Sequence, residues 1–253
     1  PQNMAQALAD VDAIIHSAGL SVAASGRPED DYRVLNVEAT IGLARAAQRA
    51  GVRRFVFISS LRAQSGPTDP RPLTEKMEPQ PTDAFGRSKL AAEQGLATVG
   101  LDWVALRLAT VYGPGVTGNM ARLIQLARSP WPLPLGALAA RRSLLSLDNL
   151  ADAIDCVLKV DGTLRRPLIV ADPGVLTVGE MITAMRRGLG RGPGLVPMPP
   201  PILKAMLRAA GREEAYERLA APLTAVPSAL VHLGWHPAVT SAAGLEQLMR
   251  GSP

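Results

Sequence analysis

Cysteine occurs once in the 253 residues, at position 156, so no internal disulfide can form. Such sparse cysteine usage fits a reducing compartment, and a cytoplasmic setting is expected. Cys156 lies within the helix-like "LADAIDCVLKV" and reads as a small buried hydrophobe. No apolar run reaches the roughly 18 to 20 residues needed to cross a bilayer, and no signal-peptide pattern opens the chain. The expectation is a soluble protein with no membrane partner. Aromatics are scarce at 4%, and although the formal net charge is +5, the basic residues come as singles and pairs such as Arg53-Arg54 and Arg186-Arg187. Without aromatic residues interleaved among them they build no stacking platform, so no nucleic-acid partner is expected. Histidine is almost as scarce. His16 reads as structural, and His232 and His236 have no carboxylates at ligand spacing, so no metal site is expected.

What is present alternates. Short β-type runs alternate with segments of helical periodicity, the pattern of a doubly wound parallel α/β sheet. "VDAIIHSAG" (11–19), "RRFVFISS" (53–60), "LDWVALRL" (101–108) and "RPLIVAD" (166–172) read as strands. Helices are expected over 30–51 and from "AFGRSK" to about Val99. A proline-dense loop, 66–83, separates the second strand from the second helix. Past residue 108 the rhythm becomes irregular. A Gly/Pro loop leads to the helix "MARLIQLARS", and "DNLADAIDCVLKV" forms another helix with Asp148 or Asn149 as its cap. A further helix is expected over 177–189, and two helical stretches in the tail, 195–253. A doubly wound nucleotide binder begins with a strand, a glycine-rich turn and a helix, yet no G-x-G-x-x-G stands before residue 11. The reading therefore expects two strands and a phosphate loop upstream of Pro1.

Chemistry concentrates where the strands end. Side chains at the carboxyl ends of parallel strands line the crevice that binds ligands. Ser59 and Ser60 stand at such an end, where they either face the crevice or cap the following turn. Phe85 and Lys89 are four residues apart and share one helix face. A tyrosine at 85 beside that ammonium would shuttle a proton, but a phenylalanine has no hydroxyl.

With these residues on the page the chain resembles the extended short-chain dehydrogenase/reductases, the NAD-dependent epimerase/dehydratase family. The likeness is carried by "DVDAIIHSAG", "YRVLNVEATIGLARAAQRAGVRRFVFISS", "FGRSKLAAEQ", "LRLATVYGPG" and "LGWHPAVTSAAGLEQL", in the family's order, with a 25-residue interval from Ser60 to position 85. Within the family, 111–154 is similar to UDP-sugar 4-epimerases and UDP-N-acetylhexosamine 4-dehydrogenases/reductases. The resemblance implies a Rossmann-type domain formed by 1–110 and about 148–172, with a substrate lobe from about 111–147 and 173–253. It implies NAD or NADP as cofactor and redox chemistry at C4 of a UDP-sugar. Ser60 would be the catalytic hydroxyl, Lys89 would bridge the nicotinamide ribose hydroxyls, and Phe85 stands where the family has its catalytic tyrosine. Ala18, Gly19 and Ser59 would border the cofactor. Asn36 would support the active-site helix, although a packing role explains it equally well. Asn119 would hydrogen-bond the sugar nucleotide, or serve only as a cap. Arg142 would face the diphosphate, or stand as a solvated surface charge. The family pairs through the helices here at 30–50 and 83–99, so a homodimer is expected. Because Phe85 cannot move a proton, the alternative is a catalytically impaired sugar-nucleotide binder.

Overall fold

The computed structural model describes residues 6–21 and 27–251. The aromatic and β-branched residues of "RFVFISS" suit a pleat covered on both faces. They form β2 (Arg54–Ser60) in the middle of a four-stranded parallel sheet. Its neighbours are β1 (Ala13–His16) and β3 (Trp103–Leu108). The fourth strand of this sheet, β7 (Arg166–Val170), pairs with β3, and the order across the sheet is β1-β2-β3-β7.

One face of the sheet is covered by helices that follow β1 and β2. The helix expected over 30–51 starts as α1 (Glu29–Tyr32), passes through a π-helical stretch at Arg33–Glu38, and continues as α2 (Ala39–Arg49). Beside it lies α3 (Ala84–Ala97). Phe55 and Phe57 on β2 pack among Ala44, Ala47, Ala92 and Leu96, all fully buried. Burial of each phenyl ring contributes about 1.5–3 kcal/mol. The opposite face is covered by α5 (Leu147–Lys159) and by tail residues including Leu230 and Trp235. Trp103 and Trp235 are both in the core, as the sequence suggested.

The remaining segments build their own apolar cluster, from α4 (Gly118–Arg128), α6 (Val178–Gly188) and α10 (Ser241–Arg250). Short strands frame it: β4 (Thr110–Tyr112) pairs with β6 (Leu144–Ser146), and β5 (Arg141–Arg142) pairs with β8 (Leu176–Thr177). The tail carries α7 (Pro200–Ala209), α8 (Glu213–Ala220) and α9 (Ser228–His232) besides α10, so the two expected helical stretches resolve into four helices.

One sequence expectation changes on local grounds. Neither Asp148 nor Asn149 caps α5; the Ser146 hydroxyl accepts from the Asn149 amide at 3.1 Å. The released Asn149 side chain donates to Asp172 at 2.7 Å and to the Val239 carbonyl at 2.8 Å, joining α5 to the tail. Two arginines of the basic pairs are buried in the fold. Arg54 is buried and donates to Asp102 at 2.7 Å and to the Val160 and Gly162 carbonyls at 2.9 and 2.5 Å. Arg186 is buried and donates to the carbonyls of Ala127, Ser129, Trp131, Pro193 and Gly194. A guanidinium with five donors can satisfy several loop carbonyls at once, which is how Arg186 fixes two glycine- and proline-rich turns.

Candidate active site

Successive residues of a strand point to opposite faces, so Ser59 and Ser60 separate. Ser60, at the carboxyl end of β2, accepts the Arg62 amide at 3.2 Å and starts the 3₁₀ turn Leu61–Ala63. Ser59 is buried and donates to Glu93 on α3 at 2.5 Å. Glu93 forms a buried ion pair with Arg107 of β3 at 2.6 Å, and Arg107 also donates to Gln64 at 3.0 Å. Ser59, expected to border the cofactor, has its hydroxyl engaged inside this buried network between β2 and α3. The sequence reading missed Glu93, Arg107 and Gln64. A usable signal was present, since Glu93 lies four residues past Lys89 on the face that meets the sheet.

The start of α3 is set by Asp83, whose side chain accepts from the Gly86 amide at 2.8 Å. Asp83 also pairs with Arg62, whose Nε donates at 3.0 Å. Gly86 has to be glycine because a Cβ there would overlap the Arg62 carbonyl oxygen. The turn after Ser60 therefore lies directly against the helix that carries Phe85 and Lys89.

Phe85 is half-buried, and one turn later Lys89 is buried. The Lys89 ammonium donates to the Ile58 carbonyl at 2.9 Å. It stands 4.6 Å from the centre of the Phe57 ring and 5.9 Å from that of Phe85. The ring faces attract the cation, but they replace little of its hydration. Burial accordingly lowers the Lys89 pKa to about 8, against a smaller opposing effect of Glu93.

The end of β1 approaches the same place. Ser17, Ala18 and Gly19 are exposed beyond the last strand residue, His16. Gly19 has φ +147°, and a Cβ on it would lie 2.6 Å from Asn36 Oδ1. Asn36 sits in the π-helical stretch, a distortion that often marks a functional position. Its side chain accepts from the Leu20 amide at 2.7 Å and donates to the Leu20 carbonyl at 3.1 Å and to Ser88 Oγ at 2.9 Å. Ser88 in turn donates to the Phe85 carbonyl at 2.8 Å. Asn36 is thus both buried packing and a bridge from the β1 loop to α3. His16 hydrogen-bonds Thr40 at 2.9 Å, and its pKa is lowered by burial first and by Lys89 second.

Ser60, Phe85, Lys89, Ala18, Gly19 and Asn36 therefore belong to connected elements around the carboxyl ends of β1 and β2. The other two predicted residues stand elsewhere. Asn119 is exposed near the start of α4, and its side chain makes no hydrogen bond to the described residues. Arg142 lies on β5 and donates to the Arg218 carbonyl at 2.7 Å. Its pKa is lowered by burial first and then by the charge of Arg62. The hydroxyls of Tyr32 and Tyr112 both have partners within the fold. The Tyr112 hydroxyl donates to Asp172 at 2.8 Å, and that of Tyr32 to the Ser21 carbonyl at 3.4 Å. Among the described residues no group of three or more His, Cys, Asp or Glu could hold a metal ion, and no helix is long and apolar enough to cross a membrane.

Residues 1–169 match the model of the NAD dependent epimerase/dehydratase family. The chain belongs to that family. Among curated relatives, a UDP-glucose 4-epimerase of Vibrio cholerae is 31% identical over 223 residues, 85% of this chain and 68% of that protein. A UDP-glucose 4-epimerase of Azospirillum brasilense is 34% identical over 197 residues, 72% of this chain and 55% of its own length. The chain thus spans about half to two thirds of these family members. Among solved structures, MoeE5 in complex with UDP-glucose and NAD is 26% identical with a TM-score of 0.73, over 98% of this chain and 81% of its own. UDP-glucuronic acid 4-epimerase from Bacillus cereus in complex with NAD, 20% identical with a TM-score of 0.75 over 96% of this chain and 73% of its own, shares the fold. The α/β sheet with its helices on both faces is accordingly a Rossmann-type fold.

Proposed function

We propose that this family member binds a UDP-sugar and NAD or NADP for redox chemistry at C4 of the sugar, as a 4-epimerase or 4-ketoreductase. The observation that carries this reading is the Lys89 ammonium. It is buried, tied at 2.9 Å to the Ile58 carbonyl at the end of β2, and has two N–H donors left for a ligand. A dinucleotide fits beside it on a structural ground: Ala18 and Gly19 form an exposed ledge of small residues, and Gly19 is held where a Cβ would overlap Asn36. Ala18 and Gly19 would let the cofactor approach closely, Asn36 would fix that ledge to α3, and Lys89 would donate to ribose hydroxyls. When bound, NAD(P) supplies the hydride acceptor for the sugar carbon. Ser60 would hydrogen-bond the sugar hydroxyl, Asn119 would reach the nucleotide sugar, and Arg142 would pair with the diphosphate as a permanently charged fork.

Phe85 favours a second reading, a sugar-nucleotide binder of impaired turnover. Its ring holds the packing position beside Lys89 but offers no oxygen to take the hydroxyl proton. Absence of a placed acid/base lowers a rate by roughly 100- to 10,000-fold. Substitution Phe85→Tyr separates the two: a large gain in turnover supports the impaired site, and unchanged turnover supports Ser60, Lys89 or water as proton carrier. The same reading includes a homodimer through the helices at 30–50 and 83–99. Sedimentation at micromolar concentration tests it, and a monomer there would reject it.

A further inference from the structure

Trp131 is the largest apolar side chain left in the open among the described residues, with 73% of its surface exposed. The other two tryptophans, Trp103 and Trp235, are buried. The exposure of Trp131 does not come from a loose loop. Pro130 and Pro132 flank it, and the buried Arg186 guanidinium holds its carbonyl at 2.8 Å and that of Ser129 at 3.0 Å. The same guanidinium takes the Pro193 and Gly194 carbonyls at 3.0 and 2.9 Å, so two loops meet over one side chain. The Leu133 amide donates to the Gly194 carbonyl and the Val196 amide to the Leu133 carbonyl, both at 2.9 Å. This pairing sets Val196, 45% exposed, opposite Leu133 and two residues along from Trp131. Leu126, 40% exposed, stands in the last turn of α4 just before the same loop.

The charge carried by these segments has one sign. Residues 118–136 and 186–212 contain eight Lys and Arg and no Asp or Glu, more positive charge than the net +5 of the whole chain. Arg122, Arg128 and Arg191 are exposed, and none has a carboxylate partner among the described residues. Arg122 and Leu126 are four residues apart and share the outer face of α4. Arg191 donates through Nη1 to the Arg128 carbonyl at 2.8 Å, which places its charge at the end of that helix. Lys204 and Arg208 of α7 are drawn instead to Glu213, at 4.0 and 3.7 Å. An indole projecting from a fixed loop and flanked by unpaired arginines suits the boundary between water and lipid. The ring sits at head-group depth, and the arginine stems lie along apolar surface with their charges in water.

We propose that this face docks onto an anionic lipid bilayer, with Trp131, Val196 and Leu126 entering the interface and Arg122, Arg128 and Arg191 meeting the head groups. The sign of the charge selects this occupant. A second copy joined about a two-fold axis would bring the same arginines against these. A nucleic-acid strand would need a series of stacking rings, and this patch offers one. Contact with a bilayer surface needs no spanning helix, and it departs from the expectation, read from the sequence, that no membrane is a partner. The inference stands apart from the sugar-nucleotide reading, because the side chains it uses are none of those assigned to that site.

The test is co-sedimentation of the full chain with vesicles of phosphatidylcholine, and with vesicles of an equal mixture of phosphatidylcholine and phosphatidylglycerol, at low and at high salt. The proposal expects partitioning at least about fivefold stronger onto the anionic vesicles at low salt, falling as salt screens the surface potential. Tryptophan emission should shift to the blue on binding, and Trp131 is the exposed indole able to report it. Trp131→Ser should abolish the shift and weaken partitioning about fivefold or more. Arg122→Gln combined with Arg128→Gln should bring binding down to the level of the neutral vesicles. Trp131→Tyr keeps a ring at the interface and should retain part of the binding, which guards against a serine variant that fails to fold. No binding to anionic vesicles at low salt, or binding that Trp131→Ser leaves intact, overturns the proposal. A concentration-dependent dimer that Trp131→Ser dissolves, without vesicle binding, assigns the face to a second copy and overturns it as well.

Discussion

Lys89 shows how one side chain is read differently by stability and by function. Its folded-state pKa of about 8 lies below the ordinary 10.5, because burial removes water from the ammonium. Between these two values the unfolded chain binds more protons than the folded one, so the Lys89 contribution makes stability rise with pH from about 8 to 10.5. Below about pH 8 the buried charge costs on the order of 3 kcal/mol. Lys89→Met should therefore abolish that rise, measured as the difference in urea unfolding free energy at two pH values across the window, while removing cofactor binding. An unchanged pH slope in the variant would show that the ammonium is solvated. The pair Phe85 and Lys89 was legible from spacing because i and i+4 share a helix face. The Ser59 partner was not, because strand alternation turns its side chain away from that of Ser60 and toward Glu93, which is distant in sequence. Once Glu93 is opposite, the Ser59 hydroxyl has a buried partner and no reason to face solvent.

At the scale of elements, the position of α3 depends on two contacts that sequence periodicity cannot express. The first is the Glu93–Arg107 pair, in which both side chains are 4% exposed. Glu93→Ala leaves Arg107 charged and buried with only Gln64 as a side-chain partner, and should cost about 3–5 kcal/mol in chemical denaturation. A loss below about 1 kcal/mol would mean that water reaches Arg107. The second is the close approach of Gly86 to the Arg62 carbonyl. Gly86→Ala favours helix intrinsically by about 1 kcal/mol, yet the added methyl should push α3 off the Ser60 turn, so a net destabilisation with weakened ligand binding is expected in melting and titration experiments. A stabilised variant with unaltered binding would contradict the packing described. Strand and helix identities were readable because hydrophobic periods of two and 3.6 are carried by the residues themselves. The π-helical stretch around Asn36 and the Ser146 cap were not, since each depends on side chains distant in sequence: Ser88 for the first, and Asp172 and the Val239 carbonyl, which draw Asn149 away from capping, for the second.

Across the whole molecule, the parallel sheet and its separate apolar cluster of later segments follow from a change of rhythm after residue 108. Residues 222–226 are a different matter: nothing in "PLTAV" announces that it links β5 to the loop at 69–74. The basic character of the chain was likewise legible only in total, because the sequence cannot separate Arg54 and Arg186, which are buried, from Arg62 and Arg142, which are partly exposed. The proposed site brings Lys89, the strand-end Ser60 and the Phe85 ring onto connected elements at the carboxyl end of β2, and that ring offers no oxygen to carry a proton. The most direct measurement compares turnover of UDP-sugar with NAD by the unmodified protein and by Phe85→Tyr, following reduced nicotinamide and the C4 product. The impaired-site reading predicts a gain of roughly 100-fold or more in the tyrosine variant, since the phenyl ring cannot carry the proton. Equal turnover by the two proteins would contradict it and assign proton transfer to Ser60, Lys89 or water.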